Sequence, residues 1–74
     1  MKIVKINWID STTQGGWIEK DAWVAPKTDC ITVGFLMEDK EDYISVCQSY
    51  HEDQYGEVIT IPRVSITKVK ELDM

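Results

Sequence analysis

The stretch that most constrains this chain covers residues 31–50, because its two halves read as the arms of one hairpin. A turn over Asp39-Lys40-Glu41-Asp42 sets Glu38 opposite Tyr43, Met37 opposite Ile44, Phe35 opposite Val46, Val33 opposite Gln48 and Ile31 opposite Tyr50. Successive side chains on a strand point to opposite faces. The core face is then expected to carry Ile31, Val33, Phe35, Met37, Ile44 and Val46, with Thr32, Gly34, Ser45 and Ser49 on the other. A slip of one residue would expose the whole apolar set, so the register is expected to be tightly specified. The pattern points to a fold class and leaves the chemistry open.

Upstream, residues 2–9 alternate, with Val4, Ile6 and Trp8 on one face and Lys5 and Asn7 on the other, which predicts a first strand. Residues 10–29 form a long connection. It opens with Asp10-Ser11-Thr12-Thr13-Gln14-Gly15-Gly16, which is turn chemistry. A short helical turn is expected in its middle, stopping before Pro26. A loop this long in so small a chain is more often functional or an oligomer contact than a passive connector.

Downstream, residues 51–56 read as a polar connector turned by Gly56, and residues 57–61 as a fourth strand ended by Pro62. Pro62-Arg63-Val64-Ser65 reads as one 3₁₀ turn. Residues 65–72 are expected to form the last strand, burying Ile66, Val69 and Leu72. Strands this short cannot make two large sheets. The expected fold is all-β and a single domain over residues 1–74: a small, five-stranded, strongly bent antiparallel barrel that hides most of its edges.

With 74 residues the chain can build one core but only a marginal one, and cores of this size often gain stability by oligomerising. A homo-oligomer is therefore expected. The net charge of −5, from 13 acidic against 8 basic residues, argues against nucleic acid and against anionic membranes as partners. No apolar run approaches the roughly 20 residues of a membrane span. The alternating N-terminus lacks the continuous apolar segment of a signal peptide, so a cytoplasmic location is expected. In the hairpin register Cys47 lies opposite Gly34, four residues along the strand from Cys30. That is roughly 13 Å, beyond disulfide reach, so both thiols are expected to be free.

The same register sets His51 across from Cys30, the only arrangement resembling a nucleophile and its base. The sequence fixes no acid to orient the histidine, and the plainer reading is two residues at an exposed strand end. No enzyme activity is expected. Phosphate-binding glycine loops are absent and Gly15-Gly16 reads as a turn, so no cofactor is expected. Neither acidic run has the spacing of a calcium loop, and two cysteines with one histidine fall short of a four-ligand zinc site, so no metal is expected.

The aromatic residues carry the binding expectations. Trp8 extends the Val4 and Ile6 face and is assigned to the core. Trp17 and Trp23 sit in the long loop, where they either cap an open end of the barrel or form a groove or oligomer contact. Tyr43, Tyr50 and Tyr55 are expected to line the far side as a peptide groove would. With Arg63, these are the candidate binding residues; Glu38, Asp39, Glu41 and Asp42 form a candidate acidic tip.

Two segments carry a resemblance. Gly34-Phe35-Leu36-Met37-Glu38-Asp39, followed by Tyr43-Ile44, is similar to the first Sm motif. Ile61-Pro62-Arg63-Val64-Ser65-Ile66-Thr67-Lys68-Val69 is similar to the second. The element order also resembles Src-homology-3-like barrels. The Sm resemblance implies a small barrel that pairs strand to strand into rings. RNA-binding Sm proteins carry an asparagine past the tip aspartate and an arginine-glycine pair; here Lys40-Glu41-Asp42 and Arg63-Val64 stand instead, and the N-terminal helix is missing. Sm-type RNA binding is therefore not carried over.

Trp8-Ile9-Asp10-Ser11, Gly16-Trp17, Thr32-Val33-Gly34-Phe35-Leu36, Asp42-Tyr43-Ile44 and Ile61-Pro62-Arg63, in this order, resemble short bacteriophage and prophage proteins of unassigned function. The resemblance implies residence in a host cytoplasm. The leading expectation is a non-enzymatic phage-type protein that binds a host or phage protein through the tryptophan loop or the acidic tip. The acidic surface would present a nucleic-acid-like charge pattern to a host defence enzyme. Two alternatives are a nucleotide or small-molecule sequestering oligomer, with pockets lined by Trp17, Trp23 and Arg63, and an Sm-like RNA-binding ring.

Overall fold

A computed structural model describes residues 1–11, 15–25 and 27–73. The chain there is all-β: β1 (Ile3–Asp10), a 3₁₀ turn (Lys20–Ala22), β2 (Thr28–Asp39), β3 (Tyr43–His51), β4 (Gln54–Pro62), a 3₁₀ turn (Arg63–Ser65) and β5 (Ile66–Leu72). This is the predicted order, including the 3₁₀ turn before the last strand. The loop turn expected around residues 12–14 and the stop at Pro26 lie outside the described residues. All five strands join one open antiparallel sheet in the order β4-β3-β2-β1-β5.

Val4 and Ile6 of β1, Ile44 and Val46 of β3 and Ile61 of β4 form the buried core, with Trp8, Leu36, Ile59 and Ile66 packed around it. β1 and β3 are not neighbours in the sheet, so their side chains meet only because the sheet curls about β2. The Trp8 indole donates to Thr32 Oγ1 at 2.9 Å, which satisfies its N–H where the ring is half-buried. On the opposite face the buried Ser45 hydroxyl pairs with Thr60 at 2.7 Å.

The hairpin turn falls where the sequence places it, with the Lys40 N–H donating to the Tyr43 carbonyl at 2.9 Å, but the register differs. Phe35 pairs with Cys47, Leu36 with Val46, Glu38 with Ser45 and Asp39 with Ile44, with a bulge at Met37. Ile44 and Val46 are buried as expected. On β2 the core face is the other one. Leu36 packs on the core and Gly34 is buried, while Ile31 and Val33 are exposed and Phe35 and Met37 only half-buried. The reason is steric. A Cβ on Gly34 would stand 2.8 Å from the Cys47 carbonyl oxygen and 3.2 Å from the Val46 side chain. β2 meets β3 so closely that its inward position must be glycine, and the apolar stripe of β2 turns outward.

The β2–β3 ladder stops at Phe35–Cys47. The expected pairs of Val33 with Gln48 and Ile31 with Tyr50 therefore do not form; Gln48 Nε2 donates instead to the Val33 carbonyl at 2.7 Å. Cys47 is buried opposite Phe35, not Gly34, and both cysteines are free. His51 pairs with Gln54, not Cys30, which removes the geometry of a cysteine–histidine pair.

β3 and β4 continue together beyond the sheet as a two-stranded arm over residues 48–57. Gly56 is within β4, opposite Ser49, and the turn falls at residues 52–53. The sequence reading placed the turn at Gly56 because glycine is the usual turn residue. A Cβ here would stand 2.9 Å from the Ser49 hydroxyl, the end of a side chain that can turn away. At the base of the arm, Glu57 takes φ 55, left-handed backbone that a non-glycine residue rarely adopts. In β5, Ile66 and Leu72 are half-buried as expected, but Val69 is exposed: it pairs with Ile6 on a strand at the edge of the sheet.

Candidate functional site

The loop between β1 and β2 gathers the largest exposed apolar side chains. The Glu19 carbonyl accepts the Ala22 N–H at 3.0 Å, closing the 3₁₀ turn, and Gly16 takes φ 73 just before Trp17. Trp17 is fully exposed, at 103% of its reference area. Trp23, Ile18 and Val24 are exposed beside it in the sequence. A hollow of about 570 Å³ is lined by Trp17, Ile18, Glu19, Lys20 and Asp21. Ile18 and Val24 were not singled out from the sequence. Their signal is two apolar residues in a segment with no strand period to absorb them.

The acidic tip is held from two sides. Tyr43 Oη donates to Glu38 Oε2 at 2.8 Å. That hydrogen bond raises the Tyr43 pKa above the ordinary tyrosine value, with slight desolvation and the negative charges of Glu38 and Asp42 adding in the same direction. Arg63 spans the tip: its guanidinium pairs with the Asp39 carboxylate, its Nε donates to the Lys40 carbonyl at 3.1 Å, and its backbone N–H donates to the Asp42 carbonyl at 2.9 Å. The 3₁₀ turn that carries Arg63 is thus a clasp on the β2–β3 turn. Glu41 and Asp42 remain exposed.

The three tyrosines do not form one row. Tyr43 starts β3 opposite Pro62, while Tyr50 and Tyr55 pair with each other on the arm. Both arm tyrosines are exposed, and with Met1 and residues 51–54 they line a hollow of about 360 Å³. Tyr50 also meets Phe35 edge to face, with ring centroids 5.1 Å apart, where the arm leaves β2. The candidate residues thus form three separate places: the tryptophan loop, the clasped tip and the tyrosine arm.

Compared with protein-family models, with curated proteins and with solved structures, the chain finds no match.

Proposed function

We propose that this chain is a non-enzymatic protein-binding module of the small-barrel, Sm-like or Src-homology-3-like kind, of phage type, working as a homo-oligomer. Its contact with a host or phage protein is made by the loop carrying Trp17 and Trp23. The observation that carries this reading is the full exposure of Trp17 in a loop where Ile18, Trp23 and Val24 are exposed as well. Trp is among the residues that most often dominate interface energies, and an uncovered Trp in water forfeits its large apolar burial. The exposed carboxylates of Glu41 and Asp42 add an acidic edge for a basic partner.

A nucleotide-sequestering reading needs Arg63 as the phosphate ligand. Its guanidinium is already held by Asp39 and the Lys40 carbonyl, and the hollow beside Trp17 is lined by residues 17–21. An RNA-binding ring needs a basic surface, against a net charge of −5. Both are weaker than protein binding.

The test is paired capture from a bacterial host lysate with the full chain and with Trp17→Ala and Trp23→Ala. The expected result is one identified protein retained by the wild type and lost from both variants at unchanged melting temperature. Equal retention by all three would overturn the assignment to the loop.

A further inference from the structure

The outward stripe of β2 has the pattern of a core face and no core to join. Ile31 is 62% exposed and Val33 44%, although they alternate with Thr32 and Gly34 in a β-branched run. Among the described residues, no strand pairs with the edge beside them. The Leu36 N–H donates to the Lys2 carbonyl on the β1 side at 2.8 Å. Backbone groups of alternate residues point to opposite sides of a strand, so those of Ile31 and Val33 point the other way, where the β3 ladder has already ended. The Val33 carbonyl takes the Gln48 side chain in place of a strand.

Proteins protect open strand edges with lysine, proline or inward charges. Residues 30–35, Cys-Ile-Thr-Val-Gly-Phe, contain none of these. By contrast the outer edge strand β5 carries Lys68, Lys70 and Glu71. An edge of this composition is built to be covered.

The size of the surface says by what. The chain exposes 6006 Å², whereas a folded monomer of its mass, 8.5 kDa, exposes about 4,700 Å². Its radius of gyration is 15.8 Å, against about 11 Å for a compact chain of this length. The excess of about 1,300 Å² per chain is carried by the loop, the arm and this edge together, and covering it in two chains would reach the roughly 2,000 Å² or more that obligate homodimers bury. A two-stranded arm without a core of its own is also marginal in isolation.

We infer that a second copy of this chain seats on residues 30–34 of β2, in the notch between that strand and the 48–57 arm. A two-fold axis places β2 against β2, antiparallel, so that one self-complementary patch serves both chains. Ile31 and Val33 lie at the centre of the contact, and the Phe35–Tyr50 pair flanks it. This rests on the homo-oligomer reading above and assigns its surface.

The experiment is sedimentation equilibrium of the full chain over a wide concentration range, for the wild type, Ile31→Lys with Val33→Lys, and Val64→Lys, at a fully exposed position, as a surface control. The expected result is a dimer for the wild type and control, and a dissociation constant raised at least a hundredfold for the double variant. Near-ultraviolet circular dichroism checks that the double variant folds. Should it not, Ile31→Thr, which keeps the β-branch, is expected to weaken association about tenfold. A monomeric wild type would overturn the homo-oligomer reading itself. A wild-type oligomer that keeps its mass in the lysine and threonine variants would overturn this surface and leave self-association standing. A wild-type oligomer larger than a dimer that falls to monomer only on substitution at the β5 edge would do the same.

Discussion

Gly34 lies so close to Cys47 that a Cβ on the glycine would stand 2.8 Å from the cysteine's carbonyl oxygen. Backbone on the far side cannot move aside cheaply. Gly34→Ala is therefore expected to destabilise the fold by about 2–3 kcal/mol, at the upper end for overpacking. Gly56 is a control: the atom in its way is the Ser49 hydroxyl, which can rotate. Gly56→Ala is expected to cost less than about 1 kcal/mol, and Ser49→Ala in the same chain to relieve part of that. Chemical denaturation of the three variants checks both.

The same contact explains how far the fold was legible. Period-two alternation in β1 placed Val4 and Ile6 correctly, because that strand has neighbours on both sides and one buried face. The 3₁₀ turn after Pro62 was legible from the proline itself. The β2 face was misread because alternation shows which residues share a face but not which face is inside. The glycine at 34 decides that by proximity, and a bulge at Met37 shifts the pairing below it. Of the site residues, Trp17 was legible as a loop tryptophan. The clasp role of Arg63 was not, because Asp39 is 24 positions away in sequence and meets it only where Pro62, at the end of β4, pairs with Tyr43 at the start of β3.

The reversed face gives a second prediction. Ile44 is fully buried while Phe35 is half-buried against Tyr50. Ile44→Ala is expected to cost about 3 kcal/mol, in the range for a buried Ile lost to a cavity. Phe35→Ala is expected to cost the monomer less, about 1–2 kcal/mol, mostly the edge-to-face contact and partial burial. Denaturation at a concentration where the chain is monomeric separates them. A larger loss at Phe35 than at Ile44 would restore the alternation reading of the core.

Glu57 holds φ 55 at the base of the arm. Left-handed backbone costs an ordinary residue roughly 1 kcal/mol, and glycine or asparagine much less. Glu57→Asn is expected to stabilise by about 0.5 kcal/mol and Glu57→Val to destabilise by about 1–2 kcal/mol, since a β-branched side chain fits that region worst. Thermal melts of the two variants bracket the strain. If valine is tolerated as well as asparagine, β4 does not bend at this residue.

The Arg63 clasp combines a surface ion pair with hydrogen bonds to the turn backbone. An exposed pair alone contributes about 0.2–1 kcal/mol, so Asp39→Asn should cost no more than that. Arg63→Ala should cost more, about 1–2 kcal/mol, because the Lys40 carbonyl also loses its donor. Arg63→Lys should not restore it, since a lysine lacks the planar fork that reaches both acceptors. Hydrogen exchange at the Lys40 amide, which donates to the Tyr43 carbonyl across the turn, reads the loosened turn directly.

Tyr43 gives the pH test. Its hydroxyl donates to Glu38, and that bond, with desolvation and the charges of Glu38 and Asp42, holds the proton above the ordinary tyrosine value. A group whose folded pKa is raised contributes stability that is full below its unfolded pKa, near 10, and that disappears as pH rises through the folded value. The chain should therefore lose a small increment of stability on the alkaline side of about pH 10, and Tyr43→Phe should remove that dependence. Glu38→Gln removes both the charge and the carboxylate acceptor, so the Tyr43 ring, followed by its Cζ resonance, should titrate at lower pH in that variant. An unchanged titration would mean that the Tyr43–Glu38 bond does not persist in solution, and that the tip is held by Arg63 alone.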